Sequence, residues 1–194
     1  MKKAVFFDID GTIIDTFNGK REISPAVTKA IRDLQAEGNY VFIATGRPYA
    51  FISPLLWQFG FDGFVLSNGA QIIINNRSVF DDTMDKAFIK HLAEKFDKEG
   101  VAYVLEGGHY SYISPHGDEM YNYCVSLGIS EQLLKREYNI EDIDVYKIEI
   151  LCQDKRVERC CAEVIKDYPE YGGYYSISDE LFEVYNKKNN KAKG

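Results

Sequence analysis

The stretch AVFFDIDGT at residues 4–12 carries the strongest indication of the fold of this chain. Its first four residues are apolar without interruption, as in a strand that is buried on both faces of a parallel sheet. Two carboxylates, Asp8 and Asp10, follow at once, and Gly11 lets the backbone turn after them. We therefore expect the reactive groups of the protein at the carboxyl end of a buried strand.

Downstream of this stretch, helices alternate with strands. Ser24-Pro25 is typical of a helix N-terminus and Gly38 of a helix end. The other elements predicted in this part are a strand at 40–44, a helix from Pro48 to about Phe59 and a strand at 63–66. The alternation favours right-handed crossovers, and hence an α/β fold with a doubly wound parallel sheet. Ligands of such sheets bind beyond the carboxyl ends of the strands, where Asp8, Thr45 and Asn68 fall.

The pattern changes at about Thr83, where paired strands begin to surround the helices. The predicted helices span 85–99, 118–127 and 155–167, and the predicted strands span 101–105, 109–113, 145–152, 174–177 and 181–185. Neighbouring strands of this kind indicate an α+β module with an antiparallel sheet. We predict a discontinuous core domain of residues 1–82 and 187–194, and an inserted α+β domain of residues 83–186.

The composition argues against several classes of function. The net charge is −7 and no basic run exceeds two residues, so the electrostatic footprint of a nucleic-acid-binding protein is missing. The N-terminal apolar run is too short for a signal peptide or a membrane span, and we expect a cytoplasmic protein. The four cysteines and three histidines lack the spacing of a metal site, so we expect reduced, buried thiols.

The carboxylate pair predicts phosphoryl transfer. An ionised Asp8 can attack phosphorus and form an aspartyl-phosphate, which divides hydrolysis into two easier steps. Asp10 can then protonate the leaving oxygen and later accept a proton from water. A carboxylate approaches a phosphate dianion only when positive charge is supplied, so we expect Mg²⁺ at Asp8 and Asp10. The alternative is that both residues merely cap a turn, in which Asp and Gly are common.

Three further positions carry groups that bind phosphate. Thr45-Gly46-Arg47 offers a hydroxyl, a close-approach backbone N–H and a guanidinium, although the same residues could cap the helix predicted from Pro48. Asn68-Gly69 is a generic turn pair. Lys191 could neutralise the attacking carboxylate, or it could be a solvated lysine of a polar tail.

At these residues the sequence resembles the haloacid dehalogenase superfamily, and in particular its Cof-type (class IIB) phosphatases with a large inserted cap. Asp8 and Asp10 match the family's nucleophile and acid/base, Thr45 matches its phosphate-binding residue, and Asn190-Lys191-Ala192-Lys193-Gly194 is similar to its Asn-Lys-x-x-Gly segment. The resemblance implies a Rossmann-like core and a Mg²⁺-dependent phosphatase acting on a small phosphorylated metabolite, such as a sugar phosphate. The stretch Ser67-Asn68-Gly69-Ala70 is also similar. From the residues and the resemblance together, we predict phosphate contacts at Thr45, Gly46, Arg47 and Lys191, and substrate or loop contacts at Gly11, Thr12 and Asn68.

The sequence departs from the family at the fourth motif. This motif, a Gly-Asp followed by another Asp, supplies a magnesium carboxylate and precedes further core strands, and it has no counterpart before Gly194. We therefore expect an incomplete core, an incomplete magnesium site and a first strand at the sheet edge, where its N–H and C=O groups lack partners. Either the chain is a fragment of a longer enzyme, or association such as a homodimer covers this edge. A phosphomutase and a low-activity phosphate-binding module are the alternative functions.

Overall fold

The computed structural model describes residues 1–176 and 180–192. Within these residues the chain forms two compact units. The first comprises Met1–Arg47, Ile52–Asp81 and the residues from Asn190 onward, and the second comprises Pro48–Phe51 and Asp82–Asn189. The short segment Pro48–Phe51 therefore groups with the second unit. The division into a core domain of residues 1–82 and 187–194 and an inserted domain of residues 83–186 stays a prediction.

The first unit is built on a five-stranded sheet. Its strands are β1 (Ala4–Phe7), β2 (Tyr40–Ala44), β3 (Gly63–Leu66), β4 (Gln71–Ile74) and β5 (Arg77–Asp81), and its helices are α1 (Pro25–Ala36) and α2 (Pro54–Gln58). The strands lie in the order β1-β2-β3-β4-β5, and β1, β2 and β3 are parallel. The predicted α/β fold class with a parallel core sheet is confirmed. The parallel pairing brings the carboxyl ends of β1, β2 and β3 side by side.

The expectation that β1 is buried on both faces is wrong. Among the described residues it pairs with β2 alone, and Phe6 is 51% exposed with its ring stacked on Phe42. By contrast, β3 is buried along its whole length. An apolar run predicts a strand, but the burial of its two faces depends on the elements that pack over the sheet. The edge position of β1 is the one that the departure at the fourth motif led us to expect.

The helix predicted from Pro48 to about Phe59 is wrong in its extent. The structure has a 3₁₀ turn at Tyr49–Phe51 and then the short helix α2. Ser53 caps α2, since its hydroxyl accepts a hydrogen bond from the Leu56 N–H at 3.4 Å. A residue that precedes proline avoids the helical conformation, so the helix starts anew at the proline after Ser53.

The hairpin β4–β5 was not predicted from the sequence. The two strands are antiparallel and extend the sheet beyond β3. Asn75 and Asn76 connect them with φ values of 50° and 59°. Two successive left-handed residues are what a two-residue type I′ hairpin turn requires, and asparagine tolerates this conformation.

The second unit contains a six-stranded sheet. Its strands are β6 (Tyr103–Gly107), β7 (Ser111–Ile113), β8 (Leu134–Lys135), β9 (Val145–Leu151), β10 (Tyr171–Ser176) and β11 (Leu181–Asn186), and its helices are α3 (Lys86–Glu99), α4 (Asp118–Ser126) and α5 (Lys155–Lys166). The order is β10-β11-β9-β6-β7-β8, antiparallel except between β7 and β8. Buried side chains of α3 and α5 form its main core together with residues of β6, β9 and β11.

The sequence predicted the helices of this unit more closely than its strands. The last residue of the predicted strand 174–177, Ile177, lies outside the described residues. All four cysteines are buried and reduced. Across residues 1–176 and 180–192, no helix has both the length and the apolar character needed to span a membrane.

Candidate active site

Asp8 lies at the carboxyl end of β1 beside the Lys191 ammonium group. Its Oδ1 accepts a hydrogen bond from the Ile9 N–H at 2.9 Å, and its Oδ2 lies 2.9 Å from the Lys191 Nζ. The Asp8 side chain is 36% exposed. The carboxylate is therefore held in one orientation while it stays within reach of solvent.

The loop after Asp8 is a tight turn anchored by apolar side chains. Ile9, Ile13 and Ile14 are buried, and the Gly11 and Ile14 N–H groups donate to the Ile14 and Ile9 carbonyls at 2.9 and 3.0 Å. Gly11 adopts a φ of +70°, and a Cβ there would lie 2.5 Å from the Phe17 ring. The left-handed φ therefore favours glycine at this position, and the turn leaves Asp10 on the exposed side.

Asp10 forms a bidentate ion pair with Arg47. The Arg47 Nη2 lies 2.5 Å from Asp10 Oδ1, and the Arg47 Nε lies 2.9 Å from Asp10 Oδ2. Arg47 follows β2, so this pair joins the carboxyl ends of two neighbouring parallel strands. A planar guanidinium matches the two oxygens of a carboxylate and fixes its orientation. The sequence had assigned Arg47 to phosphate and had not predicted this contact.

Thr45 and Asn68 hold the loops after β2 and β3 together. The Asn68 N–H donates to the Thr45 carbonyl at 3.1 Å. Thr45 is 1% exposed, and its hydroxyl accepts a hydrogen bond from the Arg47 N–H at 3.2 Å. A Cβ on Gly46 would lie 3.1 Å from the Asn68 Oδ1, so glycine permits the two loops to approach closely.

The segment that carries Lys191 rests on the turn after β3. A Cβ on Gly69 would lie only 2.5 Å from the Asn190 carbonyl oxygen. The sequence pattern indicated Gly69 only as half of a turn pair and Asn190 only within the segment identified by resemblance. It did not predict their contact, because a close approach between distant backbones leaves no local signal. Lys193 and Gly194, which complete the segment identified by resemblance, lie outside the described residues.

The structure brings together most of the residues that the sequence proposed for one site. These residues, all in the first unit, are Asp8, Asp10, Thr45, Gly46, Arg47, Asn68 and Lys191. Thr12 is exposed on the loop after Asp10, and its N–H donates to the Ile9 carbonyl at 3.3 Å. The catalytic and binding roles of these residues stay predictions.

The donor set bears on the expected magnesium ion. Within residues 1–176 and 180–192, no group of three or more His, Cys, Asp or Glu side chains is arranged to hold a metal. The site offers the two partly exposed carboxylates of Asp8 and Asp10. Mg²⁺ usually keeps several waters and binds through one or two carboxylates together with substrate phosphate oxygens. Two carboxylates match that mode in number and do not form an all-protein cage. In this structure Lys191 engages Asp8, and Arg47 engages both oxygens of Asp10.

A second charge cluster, missed by the sequence analysis, lies in the second unit. The Lys147 Nζ on β9 is 3.3 Å from Glu106 Oε2, 3.0 Å from Glu149 Oε1 and 2.8 Å from Glu183 Oε2. The side chains of Lys147 and Glu106 are 5% and 0% exposed. The antiparallel register, which sets Glu106 opposite Lys147 and Glu149 opposite Glu183, creates this cluster. Strand periodicity alone could not predict this cluster, because the sequence of one strand does not specify its partner strand or their register.

Burial dominates the electrostatics of this cluster. It raises the pKa of Glu106 well above its usual range; Lys147 opposes this shift, and Glu149 and Glu183 add to it. For Lys147, burial favours a lower pKa, but the carboxylates of Glu106, Glu149 and Glu183 outweigh it and raise the pKa well above the usual value. The two shifts have opposite dominant causes: burial disfavours the charged form of Glu106, and the surrounding carboxylates favour the charged form of Lys147.

Residues 5–194 match the family model of haloacid dehalogenase-like hydrolases. Among curated proteins, the chain is similar to "Putative phosphatase YkrA" of Bacillus subtilis, with 27% identity over 177 residues that cover 87% of this chain and 63% of that protein. It is also similar to phosphatase YwpJ of the same organism, with 25% identity over 61% of this chain and 41% of that protein. The chain thus spans less than two thirds of the length of these relatives.

Two solved structures are similar over the whole of this chain and 73% of their own. A hypothetical protein from Geobacillus kaustophilus superposes with a TM-score of 0.83 at 25% identity. A sugar phosphatase of HAD subclass IIB superposes with a TM-score of 0.78, also at 25% identity. Both likenesses agree with the α/β fold described above.

Proposed function

The chain belongs to the haloacid dehalogenase-like hydrolase family, and from this premise we propose that it acts as a Mg²⁺-dependent phosphatase on a small phosphorylated metabolite. The observation that carries the proposal is the Asp8 carboxylate, which is partly exposed at a strand end and lies 2.9 Å from the Lys191 ammonium. The subclass IIB sugar phosphatase, at 25% identity over the whole chain, supports a sugar phosphate as the substrate class.

Asp8 is the nucleophile in this proposal. One of its carboxylate oxygens attacks phosphorus, an O–P bond forms, and the P–O bond to the leaving alcohol breaks. Lys191 offsets the charge of the attacking carboxylate and of the transferring phosphoryl group. Water then attacks the aspartyl-phosphate, which releases orthophosphate and regenerates Asp8.

Asp10 acts as the acid and then as the base. It gives a proton to the leaving oxygen and takes one from the attacking water, so the proton count closes over the cycle. Arg47 engages both Asp10 oxygens, at 2.5 and 2.9 Å. We infer that a substrate phosphate competes for this guanidinium, since phosphate and carboxylate suit it equally well. That exchange would leave Asp10 able to carry its proton.

The loops after β2 and β3 hold the phosphate in this proposal. Thr45 and Gly46 lie between the strand end and Arg47, and Asn68 packs against both through its backbone and side chain. Gly11 and Thr12, on the turn after the carboxylates, face the substrate. Asp8 and Asp10 would hold Mg²⁺, which when bound supplies the positive charge that lets a carboxylate approach a phosphate dianion.

The test is a panel of phosphorylated metabolites assayed for orthophosphate release with millimolar Mg²⁺, beside an Asp8→Asn control. We expect the control to lose turnover by at least about a thousandfold, because the amide is a poor nucleophile. Equal release by both proteins would remove Asp8 from the mechanism. Passage of the phosphoryl group to a second substrate hydroxyl, in place of orthophosphate release, would identify a phosphomutase.

A homodimer that covers the edge of β1 is part of the same proposal. Within the described residues β1 pairs on one side alone, and Phe6 is exposed on that strand. An exposed apolar edge strand is a template for pairing with another chain. Sedimentation of the wild type and of a Phe6→Lys variant tests it: a wild-type monomer at micromolar concentration contradicts the dimer.

A further inference from the structure

The turn after β3 has an unusual backbone. Ser67, Asn68 and Gly69 all have positive φ values, of 47°, 57° and 93°. Such a conformation is uncommon for residues other than glycine, and strained backbone persists where the surrounding structure holds it. Two hydrogen bonds fix the backbone of this turn: the Ser67 N–H donates to the Arg47 carbonyl at 3.0 Å, and the Asn68 N–H donates to the Thr45 carbonyl at 3.1 Å.

Gly69 is where this turn meets the segment that carries Lys191. A Cβ on Gly69 would lie 2.5 Å from the Asn190 carbonyl oxygen, 3.0 Å from its carbonyl carbon and 3.5 Å from its nitrogen. All three atoms belong to the backbone, so no side-chain rotation could relieve the clash. A side chain at residue 69 would have to displace the Asn190 backbone itself.

The Asn190 backbone in turn sets the position of Lys191. The Asn190 side-chain oxygen accepts a hydrogen bond from the Ala192 N–H at 3.1 Å, which closes a turn around Lys191. From that turn the Lys191 Nζ reaches Asp8 Oδ2 at 2.9 Å. To open the 2.5 Å separation to 3.0–3.4 Å, the Asn190 backbone would have to move by about 0.5–0.9 Å, and this movement would displace the turn that presents Lys191 to Asp8.

We propose that Gly69 is a positioning residue, whose missing side chain lets the Asn190 backbone dock on the turn after β3 and so sets Lys191 against Asp8. The effect on catalysis rests on the proposed function, whereas the effect on the Lys191–Asp8 pair does not. Asn68 and Gly69 thus have different partners. Asn68 contacts Thr45 and Gly46, whereas Gly69 contacts the Asn190 backbone and affects Lys191 through it.

The test compares Gly69→Ala with a matched control, Gly60→Ala. Gly60 has a similar φ of +85°, but a Cβ there would meet only the end of the Arg32 side chain at 3.5 Å. Both variants carry the strain of alanine at positive φ, and only Gly69→Ala carries the clash. We expect turnover to fall at least tenfold in Gly69→Ala and to stay within twofold of the wild type in Gly60→Ala.

A double-mutant cycle separates positioning from general damage. If Gly69 acts through the lysine, Gly69→Ala should cost less than twofold in a Lys191→Ala background, since that interaction is already lost. The same tenfold loss in both backgrounds would overturn the proposal, and so would wild-type turnover in Gly69→Ala.

A readout without turnover keeps this inference apart from the proposed function. The lysines are labelled by reductive ¹³C-methylation, and the Lys191 signal is assigned with Lys191→Arg. We expect Gly69→Ala to shift this signal in the direction that Asp8→Asn shifts it, and Gly60→Ala to leave it unchanged. An unshifted signal in Gly69→Ala overturns the inference even if the phosphatase is active. A shifted signal in a protein without Asp8-dependent turnover supports the inference while the proposed function fails.

Discussion

The two units use the same kinds of charged groups in opposite surroundings. In the first, Asp8 and Asp10 face Lys191 and Arg47, and each of the four side chains is about one third exposed or more. In the second, Lys147 and Glu106 are almost completely buried beside Glu149 and Glu183. Exposed pairs can exchange partners with a ligand at small cost, whereas a buried pair that loses one member leaves an uncompensated charge. The contrast separates groups available for chemistry from groups that hold a fold.

The largest effect is expected at the exposed pair. Asp10→Asn should lower turnover by about 10²–10⁴-fold, the range that a general acid–base contributes. The melting temperature should change little, because the Asp10 side chain is 43% exposed. The matched control is Asp33→Asn, which removes another exposed, ion-paired carboxylate, 2.6 Å from the Lys29 Nζ, outside the site. An Asp10→Asn variant with wild-type turnover but a low melting temperature would reverse the contrast between the two units.

The next effect is expected at the buried cluster, and it concerns stability. Lys147→Met should lower the free energy of unfolding by about 3–5 kcal/mol, as expected when one partner of a buried ion pair is removed. Adding Glu106→Leu should restore part of this loss, since the carboxyl left without its cation is then removed as well. Urea unfolding of the three proteins measures both steps. If the double variant is less stable than Lys147→Met by the full cost of a second substitution, the two residues are not coupled.

The smallest effect is a dependence on pH that sharpens the same contrast. The pKa of Glu106 is raised in the folded protein, so the folded state binds its proton more tightly than the unfolded state does. Its contribution to stability is therefore complete below the unfolded pKa of 4.5 and is lost as the pH rises towards the folded pKa. The slope reaches at most about 1.4 kcal/mol per pH unit.

Lys147 adds to this dependence at higher pH. Its pKa is also raised, so its contribution is complete below 10.5 and is lost as the pH rises through the folded value. Glu106→Gln tests the contribution of Glu106, because the amide does not titrate. Between pH 5 and higher pH, the free energy of unfolding should fall more steeply in the wild type than in Glu106→Gln. Equal slopes in the two proteins would contradict the raised pKa of Glu106.

Much of the first unit could be predicted because its signals are local. A few consecutive residues suffice to predict the apolar strands β2 and β3 and the capped helix α1. The rule that parallel strands end at one edge then predicted that Asp8, Thr45 and Asn68 fall together. The role proposed for Lys191 rests on a resemblance, since nothing in its neighbouring sequence distinguishes it from a solvated lysine.

The remainder depends on contacts between distant parts of the chain. The pairing of Arg47 with Asp10, the docking of Asn190 on Gly69 and the register that sets Glu106 opposite Lys147 all join residues far apart in sequence. The prediction that β1 is buried on both faces is wrong for the same reason, because an apolar run does not indicate which elements will pack over the strand. The Asn75-Asn76 hairpin is different, because its signal is local: asparagine tolerates the positive φ that both positions of a type I′ turn require.

The grouping of Pro48–Phe51 with the second unit matters for anyone who dissects the molecule. The Tyr49 ring lies 4.5 Å from that of His109, and Phe51 packs against the smaller apolar core around Val104 and Met120. A fragment excised at residues 83–186 would lose both aromatic rings and expose the surfaces that they cover. A fragment of the second unit therefore keeps these contacts only if Pro48–Phe51 are supplied with it.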